Sequence, residues 1–132
     1  MQKIIHTILK VLLSLLMLMP IVGALGVFPA PTADLYNSPQ AFAFIEALMN
    51  SGYLNPLMGI VFAIALVLLW LKREALSAML ILPITVNIVA FHLFLDGGLL
   101  TPGASMADLL FILNLYFLWK NRSVYQSLFE KA

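Results

Sequence analysis

Four long apolar stretches, roughly residues 4–28, 54–71, 75–95 and 104–119, are separated by short polar breaks. Each approaches or exceeds the ~20 residues that a helix needs to cross about 30 Å of hydrocarbon. No water is present in a bilayer core to satisfy backbone groups, and four segments are too few to close a barrel. The segments must therefore be helices. The expected fold is all-α: a polytopic membrane protein with a single domain over residues 1–132, built as a bundle of four transmembrane helices.

Composition points the same way. With 63% hydrophobic and 10% charged residues, a chain of this size has more apolar surface than a small soluble core can hide. Lipid must solvate much of it. All seven Lys and Arg residues fall on one side of the alternation: Lys3 and Lys10 at the first stretch, Lys72 and Arg73 between the second and third, Lys120, Arg122 and Lys131 after the fourth. Four of the six acids, Asp34, Glu46, Asp96 and Asp108, fall on the other. The basic side marks the cytoplasm, so both termini are expected there. A basic rim of this kind suits anionic lipid headgroups and gives no reason to invoke nucleic acid.

Lys3 and Lys10, an apolar run, Pro20 and then Val22-Gly23-Ala24 imitate a secretory signal with small residues at a cleavage site. The segment is read instead as a retained first span, kinked at Pro20 where the ring removes a backbone hydrogen bond. The chain has no cysteine, which excludes disulfide, iron–sulfur and thiolate chemistry within it. Its histidines, His6 and His92, belong to opposite ends of spans about 30 Å long and cannot ligate one haem together. No metal site is expected.

The longest connection has internal order. Ser38-Pro39 reads as an N-cap followed by proline at the first helical position, and Gly52 as a stop. Phe42, Ile45, Leu48 and Met49 recur at helical spacing, with Gln40, Ala43, Ala47 and Asn50 opposite them. Residues 39–51 are thus expected to form a short amphipathic helix on the outer surface, with Phe42, Ile45 and Met49 inward and Tyr36 and Tyr53 at headgroup level. Gly59 and Ala63 give a small-residue patch that would pack a helix within the monomer or across a dimer. A weak internal repeat, Pro20-Ile21…Phe28 against Pro83-Ile84…Phe91, would relate two hairpins; aromatic belts and basic loop ends produce much of the same pattern without duplication.

Candidate site residues are the polar ones inside the spans. Thr85, His92 and Asp96 share a stripe of the third span, with Asn87 pointing elsewhere. Asn87 and Asn114 lie near mid-membrane by residue counting, and both are expected to face the bundle interior, because an unpaired amide in hydrocarbon is costly. Interhelical hydrogen bonding accounts for them structurally. Asp108 follows Ser105 at capping-box spacing. His92 and Asp96, at i and i+4 near the outer end, are expected to form the polar wall of an outer cavity with the surface helix as its lid and Tyr53 nearby. An ionisable pair at that depth marks either a site or an interface cap.

Tyr53-Leu54-x-Pro56-Leu57, Leu82-Pro83-Ile84-x-x-Asn87-Ile88-x-x-Phe91-His92-Leu93-Phe94-Leu95-Asp96, Leu113-Asn114-Leu115-Tyr116 and Tyr125-x-x-Leu128-Phe129 together resemble the DoxX-like family of small four-helix bacterial membrane proteins. The resemblance implies a four-helix bundle in the cytoplasmic (inner) membrane of a bacterium, and association with membrane quinone oxidoreductases or oxidative-stress complexes. It departs at Phe62, where the family pattern carries a glutamate early in the second span.

Three functions are compatible with these residues. The first is a non-catalytic accessory or membrane subunit of a larger, redox-linked assembly, with other membrane subunits and lipids as partners. The second is a protein that binds a quinone-like lipophilic cofactor at His92 and Asp96, with Tyr53, Asn87 and Asn114 as further contacts. The third, a small transporter or channel, is disfavoured because no charged pathway crosses the inner half.

Overall fold

The apolar runs fold as helices that bury one face against each other and leave the other greasy. The computed structural model describes residues 1–131. Its helices are α1 (Gln2–Ala24), α2 (Pro39–Asn50), α3 (Leu54–Trp70), α4 (Glu74–Phe94), α5 (Ser105–Lys120) and α6 (Arg122–Phe129), with single 3-10 turns at Ala33–Leu35 and Pro102–Ala104. Three segments, Gln2–Ala24, Glu74–Phe94 and Pro102–Lys120, are long and apolar enough to cross a membrane. The 17-residue α3 reaches that threshold only when joined to α2, from which it is bent by 82°.

α1, α3, α4 and α5 close a ring, with α1 against α3 and α5, and α4 against the same two helices. Leu13, Met17, Phe62, Leu69, Ile81 and Phe117 are fully buried at its centre. Phe62, singled out in the second apolar stretch, is therefore a core residue. Ile4, Ile8, Leu15, Ile60, Ile64, Val67, Val86 and Ile112 point outward and are exposed. Helices apolar on both faces need an apolar surround, and this is the signature of a helical membrane bundle. The small-residue patch resolves within the monomer: a Cβ at Gly59 would collide with the Ala24 side chain of α1.

The Lys and Arg residues and four of the acids, Asp34, Glu46, Asp96 and Asp108, separate to opposite ends of the bundle, with Glu74 among the bases. At what is called here the basic end lie the starts of α1 and α4 and the ends of α3 and α5; at the acidic end lie α2 and the α4–α5 loop. α2 starts as its sequence dictates, with the Ser38 hydroxyl accepting from the Ala41 N–H at 3.0 Å and Pro39 in the first turn. Gly52 adopts φ +76° just beyond it, a conformation that favours glycine and ends the helix. Ala41 is buried, Phe42, Ile45 and Leu48 are half-buried, and Gln40, Ala43, Ala47 and Asn50 face outward. Met49, expected inward, is 41% exposed.

Three sequence expectations are corrected. The first helix stops at Ala24 rather than near residue 28, because Gly26 at φ +71° turns the chain and its N–H bonds the Gly23 carbonyl. The Ser105–Asp108 capping box does not form: the 3-10 turn Pro102–Ala104 leads into α5, Ala104 is the N-cap, and the Ser105 hydroxyl donates back to the Pro102 carbonyl at 2.7 Å. The proposed repeat also fails in depth. Pro20 lies in the last turns of α1, whereas Pro83 lies mid-way along α4.

Candidate functional site

α4 carries two different faces past mid-length. Ile81 and Thr85 turn into the core, while Ile84, Asn87, Ile88 and Phe91, at helical spacing, form one wall of a cavity of about 610 Å³. The start of α3 supplies the second wall with Leu54, Asn55 and Met58, and α2 roofs it with Phe44, Ile45, Leu48 and Met49. The elbow between α2 and α3 creates the space. Because α3 and α4 are neighbours in the ring, the cavity lies on the bundle's flank, outside the central core. Its volume falls within the range of small-molecule sites, and its lining is mostly apolar with a few polar groups, which is how such sites combine affinity with orientation.

The polar groups are Tyr36, Asn55, Asn87 and His92. His92 Nδ1 lies 3.0 Å from Asp96 Oδ2. An ionised Asp96 accepts from the Nδ1–H, which leaves Nε2 as the ring nitrogen without a protein partner. The Phe91 ring packs edge-on against the imidazole at 5.1 Å. Asn55 donates its amide N–H to the Gly23 carbonyl at 3.3 Å, leaving its carbonyl oxygen available. Asn87 makes no side-chain hydrogen bond among the described residues and is exposed.

The expected wall of His92 and Asp96 forms only by half. His92 lines the cavity, but Asp96 is 3% exposed and lies behind it. Its carboxylate also ties down the connection before α2: Oδ1 accepts from the Asn37 backbone N–H at 2.8 Å, and the Asn37 side-chain amide donates to the Asp96 carbonyl at 3.0 Å. Ser38 donates its hydroxyl to the Leu95 carbonyl beside them. Gly97, at φ +86°, permits the approach, since a Cβ there would meet the Asn37 Cβ at 3.2 Å. Asp96 thus orients His92 and fixes the roof with one carboxylate.

Tyr53 is 64% exposed and does not line the cavity. Tyr36 takes its place, edge-on to Phe91 at 6.4 Å and close to Phe42 at 6.0 Å. Burial pushes its phenol above the ordinary range, and the negative Asp96 adds to the shift. The expectation that both Asn87 and Asn114 face the interior holds for Asn114 alone. Asn114 is fully buried, donates to the Ala78 carbonyl at 2.9 Å and accepts from the Thr85 hydroxyl at 2.9 Å. Asn87 instead faces the cavity, because its position two residues past Thr85 turns it to the far side of α4.

A second polar cluster, absent from the sequence-derived candidates, joins the helices at the basic end. Glu74 Oε1 lies 2.9 Å from His6 Nε2 and 3.2 Å from Lys10 Nζ. His6 Nδ1 lies 3.3 Å from the Tyr116 hydroxyl. Lys10 sits over the Trp70 ring at 4.9 Å, and the Trp70 indole donates to the Ser14 hydroxyl at 2.9 Å. One carboxylate thereby links residues of α1, α3, α4 and α5. Among the described residues no three His, Asp or Glu side chains converge as metal ligands. The chain matches no family model, no curated protein and no solved structure.

Proposed function

We propose that the protein is a four-span membrane protein that binds a lipophilic molecule with a hydrogen-bonding head in the flank cavity, a quinone being the class that fits best. The unpaired Asn87 amide carries this reading. An amide facing an apolar cavity without a partner costs free energy in hydrocarbon, and a ligand carbonyl or hydroxyl placed there would satisfy it. His92 Nε2 and the Asn55 carbonyl offer an acceptor on the same cavity, and Nε2 becomes a donor when the ring is protonated. The apolar lining suits an isoprenoid or acyl tail. The resemblance of the segment from Leu82 to Asp96 to DoxX-like proteins supports the quinone class, and Phe62 in the core argues against proton-linked catalysis by the chain alone.

In this arrangement α3 is the fourth span, α2 lies at the outer interface, and the basic end faces the bacterial cytoplasm, as the one-sided Lys and Arg distribution favours. A reporter fused at Ala132 is expected inside the cell and one inserted near Asn37 outside; the reverse result would overturn the topology. The ligand test uses a benzoquinone with a decyl tail, retained by the purified protein in uncharged micelles and measured by its absorbance after gel filtration. His92→Ala is expected to lower retention about tenfold or more, the loss of one good hydrogen bond, while His6→Ala leaves it unchanged. Equal retention by wild type and His92→Ala would refute the site.

A second reading rests on the same half-open cavity. A partner helix bearing a polar residue would fill it and meet Asn87, making the protein a non-catalytic subunit of a redox assembly. Crosslinking from position 87 separates the two: a protein adduct supports the subunit, and a lipid-sized adduct supports the ligand.

A further inference from the structure

At the opposite end from the cavity, the start of α1 and the end of α5 enclose a recess of about 390 Å³ lined by Gln2, Lys3, His6, Thr7 and Lys120. We propose that this recess binds a phosphate group, supplied by the headgroup of an anionic phospholipid.

Lys3 and Lys120 come from different helices and neither has a carboxylate partner among the described residues, where the ion pairs involve only His6, Lys10 and His92. Glu74, the acid that pairs with His6 of the recess wall, is also engaged by Lys10. The recess therefore presents two uncompensated ammonium groups. Both His6 ring nitrogens are engaged, by Glu74 and Tyr116, so this side chain forms a wall and leaves anion recognition to the lysines. The Thr7 hydroxyl donates to the Lys3 carbonyl at 2.9 Å. Gln2 and Lys3 belong to the first turn of the 23-residue α1, so the positive end of a helix dipole adds to the two lysines.

What favours a lipid over a soluble phosphate is the surface beyond the recess. Lys3, Thr7, Val11 and Leu15 recur at i+4 along one stripe of α1. Val11 is 43% and Leu15 57% exposed, so a basic recess passes directly into an apolar track. A phosphodiester at the lysines would lay its acyl chains along that track, at the depth where basic residues meet anionic headgroups.

The test uses the full chain in uncharged detergent and counts retained lipid by native mass spectrometry. Phosphatidylglycerol, phosphatidylcholine with the same chains, and inorganic phosphate are the probes. One phosphatidylglycerol is expected to stay bound in preference to phosphatidylcholine. K3Q/K120Q is expected to weaken that retention about thirtyfold, the combined effect of two lysines beside an anionic headgroup. K72Q/R73Q removes the same charge outside the recess and is expected to leave retention largely intact. Both lysines of the first pair are exposed, so the variant keeps the core. Retention of inorganic phosphate as strong as that of the lipid would assign the recess to a soluble phosphate compound. Equal loss in the two double variants, or no preference over phosphatidylcholine, would overturn the proposal.

Discussion

Two histidine–carboxylate pairs stand at opposite ends of this bundle, and they do different things. His92 and Asp96 lie four residues apart on α4 at 3.0 Å, whereas His6 and Glu74 lie 68 residues apart on α1 and α4 at 2.9 Å. At the acidic end the carboxylate aligns one ring nitrogen and leaves the other free beside a cavity. At the basic end both nitrogens are engaged, and the carboxylate also takes Lys10. The same two functional groups thus leave an open nitrogen beside a cavity in one place and make a staple in the other. What separates them is the number of hydrogen-bonding atoms left unused.

The comparison breaks most visibly when the two carboxylates are removed in turn. Glu74→Ala is expected to lower the stability of the whole bundle by about 3 kcal/mol, because it strands a partly buried lysine and an imidazole together. The measurement is cooperative thermal unfolding in detergent. Asp96→Ala is expected to cost less, about 2 kcal/mol, for the bonds left unmade at Asn37 and His92. Its effect should be local: faster proteolysis between residues 25 and 53, with the four long helices retained. If Glu74→Ala loosened only α1, or Asp96→Ala unfolded the bundle, the division between a bundle-wide staple and a local anchor would fail.

Asn87→Leu sharpens the contrast between an amide that binds protein and one that does not. Removing the unpaired amide is expected to stabilise the empty protein by about 1 kcal/mol while weakening quinone retention. Asn114→Leu should do the opposite to stability, since it removes two buried hydrogen bonds, to the Ala78 carbonyl and from the Thr85 hydroxyl. A fall in the unfolding temperature of Asn87→Leu would mean that the amide has a structural partner.

The smallest effect is a titration. Tyr36 has a raised phenol, so the neutral ring favours the fold: its contribution is complete below the ordinary value of 10.0 and is lost as pH rises through the higher folded value. The difference in phenolate absorbance between wild type and Tyr36→Phe should appear later than that of a free tyrosine, and docking of the connection before α2 should weaken with it. An ordinary titration would mean that the Tyr36 phenol is neither buried under the connection nor close to Asp96.

The sequence made His92 and Asp96 legible because a four-residue spacing on one helix is a geometric statement. It made α2 legible through Ser38, Pro39 and Gly52, whose local chemistry needs no tertiary context. His6 and Glu74 carry no such spacing, and neither do Asn37 and Asp96, 59 residues apart; these pairs exist only once helices pack in a particular rotation. That rotation also decided the amides. Residue counting gave Asn87 and Asn114 similar depth, but only the packing of α4 shows that Thr85 occupies the interior face, which turns Asn87 outward. Tyr53 failed and Tyr36 succeeded for a related reason: Asp96 and Ser38 anchor the chain before α2, bringing the earlier tyrosine over Phe91 and leaving the later one at the exposed elbow.

The 82° elbow between α2 and α3 puts the mouth of the cavity on the flank of the bundle. A guest that prefers oil to water would therefore arrive sideways, by diffusing within the leaflet. Its occupancy would follow the mole fraction of guest in the lipid phase. The apparent dissociation constant measured against total aqueous concentration should then rise in proportion to the amount of detergent or lipid added, while the constant expressed per mole of lipid stays fixed.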